Sequence, residues 1–144
     1  MFKKILVPVE LDYPDTAALV YQRAANYAKL SGAEIRLVTV MPGFSMPIVA
    51  QLVPTDVVQK AKDHVSAVMK QFVADNCDET VTYTIRTGKN WEEIITAAER
   101  WEADLIVVYH NHRQEINEVF SRSCSQRVAD HASCSVLRLR NIRP

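Results

Sequence analysis

Two short runs of unbroken apolar residues constrain this chain most. They are Ile5-Leu6-Val7-Pro8-Val9 and Leu105-Ile106-Val107-Val108. A strand with one wet face alternates apolar and polar residues, whereas a strand buried on both faces has no polar positions. The chain must therefore supply cover for both sides of a sheet. Between such runs lie segments with helical spacing. Ala17, Val20, Ala24 and Tyr27 recur at steps of three and four, with Tyr21 and Ala28 beside them, over a helix from Thr16 to Leu30. Asp15 precedes it as an expected N-cap, and Gly32 follows as a left-handed stop.

The rest of the chain continues the alternation. Glu34 to Val40 reads as a second strand. Met41 to Pro54 has no period and reads as a long loop, with a helical turn near Val49 to Leu52 and the greatest expected mobility. Val58, Ala61, Val65, Val68 or Met69, and Phe72 mark a helix from Thr55 to Asp75. Val81, Tyr83 and Ile85 alternate with threonines, which predicts an edge strand over Thr80 to Thr87. Asn90 with Glu93 three residues on resembles a capping box for a helix from Trp91 to Trp101. The central strand Asp104 to Tyr109 leads through a polar segment into a last helix. Phe120, Cys124 and Val128 mark its buried face, and it ends near His131. Ser135 to Arg140 closes the chain as a fifth strand. This order predicts one α/β domain over 1–144, a doubly wound parallel sheet with helices on both faces. Ligands in such folds sit beyond the carboxyl ends of the strands.

Composition excludes several functions. The 144 residues hold 17 Lys and Arg against 17 Asp and Glu, so no general nucleic-acid surface is expected. No apolar stretch approaches a membrane span, no leader is recognisable, and three cysteines without C-x-x-C spacing fit a reduced cytoplasm. Only 3 glycines occur, Gly32, Gly43 and Gly88, none near another in the chain, so no glycine-rich phosphate loop exists.

Several segments together resemble the universal stress proteins. Ile5 to Glu10 looks like their opening strand, and Arg86-Thr87-Gly88 followed by Trp91 to Ile95 like their third strand, turn and helix. Ala103 to Val108 resembles their fourth strand, and His131 to Leu137 their closing strand, with serines where prolines are common. The resemblance implies a Rossmann-like, adenine nucleotide alpha hydrolase-like sheet ordered 3-2-1-4-5. It also implies a cytoplasmic stress-response protein that is commonly a homodimer and works with protein partners. ATP-binding relatives carry G-x-x-G, nine residues, then G-[ST] after strand four, where backbone N–H groups close on phosphate. The matching positions here are Tyr109, His112, Arg122 and Ser123, so the glycines are gone and the hydroxyl remains. The chain resembles the A-type branch in this, and neither ATP as cofactor nor enzyme activity is expected.

The degenerate pocket is expected around Pro8, Val9, Glu10, Thr39, Val40, Tyr109, His112, Arg113, Arg122 and Ser123, with Tyr109 projecting into the phosphate space. Arg113 and Arg122 leave an alternative open, ATP held by side chains in a non-standard loop. A further alternative is a metal enzyme using His110 and His112, for which a third ligand is not visible. Cys77, in a loop, reads as the most reactive thiol, and Ser121, Ser123 and Ser125 as hydroxyls open to phosphorylation. In the last strand Leu137 and Leu139 share one face and Val136, Arg138 and Arg140 the other. The arginines either protect a free edge or lie at the rim of a dimer burying Val136, Leu137 and Leu139.

Overall fold

The sheet runs β3-β2-β1-β4-β5, all parallel, which is the 3-2-1-4-5 order. The computed structural model describes residues 1–43, 52–110 and 122–143, with residues 122 and 123 as backbone alone. The strands are β1 (Lys4–Pro8), β2 (Glu34–Pro42), β3 (Thr82–Gly88), β4 (Leu105–His110) and β5 (Ser135–Arg140). The helices are α1 (Pro14–Ser31), α2 (Thr55–Asn76), α3 (Asn90–Trp101) and α4 (Arg122–His131). Residues 44–51, which hold most of the expected loop and its helical turn, lie outside the described residues, as does Phe120.

Side-chain alternation along the strands divides the core in two. Ile5, Val7, Leu37, Leu105 and Val107 face α1 and α2 and meet Val20, Ala24, Met69 and Phe72. Leu6, Val38, Ile106 and Val108 face α3 and α4 and meet Ile94, Ala98, Cys124 and Val128. Each such buried aliphatic side chain contributes about 1.5–3 kcal/mol, which is why β1 and β4 contain no polar residue between Ile5 and Val9 or between Leu105 and Val108.

The helix boundaries correct two expectations. α1 begins at Pro14, so Asp15 lies in its first turn and no side chain caps it. Proline's fixed φ starts the helix without an N-cap side chain. Gly32 ends α1 at φ 73°, its N–H donating to the Ala28 carbonyl at 2.7 Å. In α3 the capping box does not form. Asn90 Oδ1 accepts from the adjacent Trp91 N–H at 2.7 Å, and Glu93 is taken by Arg86, whose Nε donates to Oε2 at 2.7 Å.

α2 is anchored along only part of its length. Met69 and Phe72 are buried, Val58, Val65 and Val68 half-buried, and Ala61 exposed. β2 runs two residues beyond Val40, with Met41 opposite Thr87 and Pro42 opposite Gly88. Two of the three glycines, far apart in sequence, meet there. A Cβ on Gly43 would lie 3.0 Å from the Gly88 Cα, and Gly43 N–H donates to the Gly88 carbonyl at 3.3 Å.

Candidate functional site

The carboxyl ends of β1 and β2 form a cleft of about 180 Å³, its walls including Val9, Glu10, Thr39, Val40, Met41 and Val65. Val9 N–H donates to the Val38 carbonyl at 2.8 Å, which carries the β1–β2 ladder one step past Pro8. The Glu10 carbonyl then accepts from Tyr13 N–H at 3.1 Å, holding Glu10-Leu11-Asp12 as a short bridge into α1. Of the expected pocket residues, Val9, Glu10, Thr39 and Val40 are brought together. Pro8 is buried within β1. Val65, on the half-buried stripe of α2, closes the cleft from a segment that sequence reasoning treated only as core.

At the end of β4 the chain stays in the sheet. Tyr109 pairs with Leu139 and His110 with Arg140. The Tyr109 side chain packs beside the cluster under α1 and does not line the cleft, contrary to its expected projection into a phosphate space. The alternation of β4 turns Tyr109 to the same face as Leu105 and Val107. His110 is buried at 1% exposure, part of the strand and not of a polar loop. His112 and Arg113 lie outside the described residues, and Arg122 and Ser123 open α4 with side chains outside them. Among the described residues no three His, Cys, Asp or Glu side chains gather where they could hold a metal.

Arg138 is held within its own chain. Its guanidinium crosses to α4, donating from Nη2 to Ser125 Oγ at 3.2 Å and from Nη1 to Gln126 Oε1 at 3.1 Å. Ser125 is 1% exposed, so its hydroxyl is closed to a kinase in the folded chain. The Cys77 thiol is half-buried. Burial, with a smaller contribution from the Asp78 carboxylate, pushes it up to about 11. Burial and then Glu10 push Cys124 up to about 12, against the opposing pull of Arg127.

Among the described residues, the cleft presents no basic side chain to a phosphate. Its charged lining residues are Glu10 and Asp12, both acids, which repel phosphate. The first position where a glycine would open a backbone cradle is Tyr109, held in a ladder.

The family model for the universal stress proteins matches residues 1–140. The chain belongs to the universal stress protein family. Among solved structures, this universal stress protein is similar to UspA from Lactobacillus plantarum. The two share 26% identity over 96% of this chain and 97% of that one, with a TM-score of 0.71. A universal stress protein from Archaeoglobus fulgidus, in complex with dAMP, has a TM-score of 0.59 at 18% identity, covering 94% of this chain and 96% of that one. Another universal stress protein, in complex with cAMP, has a TM-score of 0.59 at 18% identity, covering 96% and 97%. These last two likenesses establish the fold shared with this universal stress protein. None of its described helices is long and apolar enough to cross a membrane.

Proposed function

We propose that this universal stress protein is a cytoplasmic stress-response protein that is not an enzyme and does not use ATP. It acts as a homodimer that engages protein partners. One observation carries the reading: β4 continues through Tyr109, paired with Leu139, where nucleotide-binding relatives need a glycine turn. A non-glycine residue forced into a left-handed turn costs about 1–2 kcal/mol, and Tyr109 would also surrender its ladder and core contacts. The absence of ATP-binding glycines matches the A-type branch of the family. Isothermal titration with Mg-ATP tests this. No saturable heat is expected, and a micromolar dissociation constant overturns the reading.

The dimer is proposed through β5, which is an edge in the order β3-β2-β1-β4-β5. Among the described residues its outer backbone groups have no strand beside them, and Leu137 is 49% exposed. Antiparallel pairing of two copies about a two-fold axis satisfies those groups and covers Val136, Leu137 and Leu139. Sedimentation at micromolar concentration is expected to give twice the chain mass. A single species near 16.3 kDa overturns the dimer.

A second reading rests on the placement of Val9, Glu10, Thr39 and Val40 around one cleft, together with the nucleotides held by two relatives of the same fold. It assigns a nucleoside monophosphate, without the triphosphate cradle, to the strand ends. Parallel titrations with AMP and ATP separate it from the first reading, because it requires saturable binding of AMP.

A further inference from the structure

The helices leave one part of the sheet uncovered. α4 packs on β5 from the side that carries Val136, whereas on the other side the flank of α1 reaches across β4. The result is a cleft of about 270 Å³ under α1, at the amino ends of β4 and β5 and not at the carboxyl ends that form the candidate site. Ile5, Leu105 and Val107 make its floor, Tyr27 stands on the helix side, and Leu137 forms the outer part. The floor residues are 5% exposed or less, and Leu137 is 49% exposed, so the cleft deepens from solvent into core. Phe2 stands beside Tyr27 with ring centroids 6.1 Å apart and lengthens the apolar wall.

Among the described residues, Arg23 is the one charged side chain lining this cleft. Its Nη2 donates to the Arg143 carbonyl at 3.4 Å. Among the described residues it takes part in neither ion pair, which are Arg86 with Glu93 and Lys89 with Glu92. An apolar trough with a single exposed guanidinium is complementary to a molecule with an apolar body and one anionic end. At about 30 Å³ for each water-sized group, the volume suits roughly nine heavy atoms. We propose that this cleft binds a medium-length apolar monocarboxylate, its tail over Ile5, Leu105 and Val107 and its carboxylate on Arg23. The planar fork of arginine matches a carboxylate in two parallel hydrogen bonds.

The test uses the full chain, labelled at leucine and valine methyls, titrated in NMR with sodium octanoate, 1-octanol and octylammonium. Octanoate is expected to shift the Leu105, Val107 and Leu137 methyls saturably, 1-octanol more weakly, and octylammonium not at all. Arg23→Gln, a change at an exposed position, is expected to weaken octanoate about fivefold while leaving 1-octanol unchanged. Three results overturn the proposal. One is 1-octanol binding as tightly as octanoate. Another is shifts spread over exposed methyls such as Leu30 and Leu52, which indicates adventitious contact. The third is cleft shifts that follow protein concentration and not octanoate, which assigns the cleft to a second copy.

Discussion

Arg86 and Glu93 meet at 2.7 Å across the turn made by Gly88, and both are largely screened from solvent. The same Glu93 fills the space above the glycine. A Cβ on Gly88 would lie 2.9 Å from Glu93 Oε1 and 3.0 Å from its Cγ, at a backbone φ of 144° that L side chains rarely adopt. Ion pair and turn are therefore one unit, joining the end of β3 to the first turn of α3.

Gly88→Ala is expected to destabilise the chain by about 2 kcal/mol, from backbone strain and displacement of Glu93. Glu93→Ala alone should cost about 1 kcal/mol. In the double variant the costs should sum to less than their total, since the added methyl no longer meets a carboxylate. Urea unfolding of the four proteins checks this, and strict additivity would show that the two sites are independent.

Asp104 ties the starts of β1 and β4 together, its carboxylate accepting from Lys3 N–H at 2.8 Å and Lys4 N–H at 2.9 Å. Burial alone would raise its pKa. The hydrogen bonds from Lys3, Lys4 and its own N–H, with the Lys3 charge, outweigh that and hold it below the usual carboxylate range. The stabilisation is thus complete above the unfolded value of about 3.9 and is lost as pH falls through the lower folded value. Asp104→Asn should cost about 1 kcal/mol at pH 7, less at pH 3. Denaturation midpoints at the two pH values read this directly, and an equal loss at both would remove the carboxylate from the account.

Thiol labelling should be slow throughout. With Cys77 at about 11, about one molecule in a thousand is thiolate at pH 8. Cys124, pushed up to about 12 and 2% exposed, should be labelled last of the three. Timed alkylation followed by peptide mass spectrometry gives the order. Rapid labelling of Cys77 in the folded chain would contradict the raised pKa of its half-buried thiol.

The anchoring of α2 through Met69 and Phe72 sets a gradient along that helix. Amide exchange should be faster over Thr55 to Val65 than over Met69 to Asn76. Phe72→Ala should cost about 3–5 kcal/mol, whereas Val57→Ala, at a residue 50% exposed, should change stability by under about 0.5 kcal/mol. Exchange at one rate from end to end would mean that the helix is held by contacts other than these.

The strands and their faces were legible because apolar runs such as Leu105 to Val108 have a single physical explanation, burial on both sides. Local polar chemistry was less so. Glu93 had the spacing of a capping box, but Arg86, seven residues earlier, competes for the same carboxylate and wins through charge. Glu102 ends α3 in a left-handed conformation at φ 58° with no glycine to announce it. The Val58 to Phe72 stripe showed which face of α2 is apolar, yet how much of it the sheet reaches depends on where the helix lies. At the candidate site, Val9, Glu10, Thr39 and Val40 follow from strand ends alone. Val65 and the reach of Arg138 to Ser125 depend on packing between segments far apart in sequence, for which no local spacing exists.

Leu6 and Val7 are consecutive residues that belong to different interiors, one under α3 and α4, the other under α1 and α2. The sheet between them acts as a partition. A change of volume on one side is absorbed by neighbours on that side, so even and odd positions of β1 can drift as two separate lineages of packing solutions.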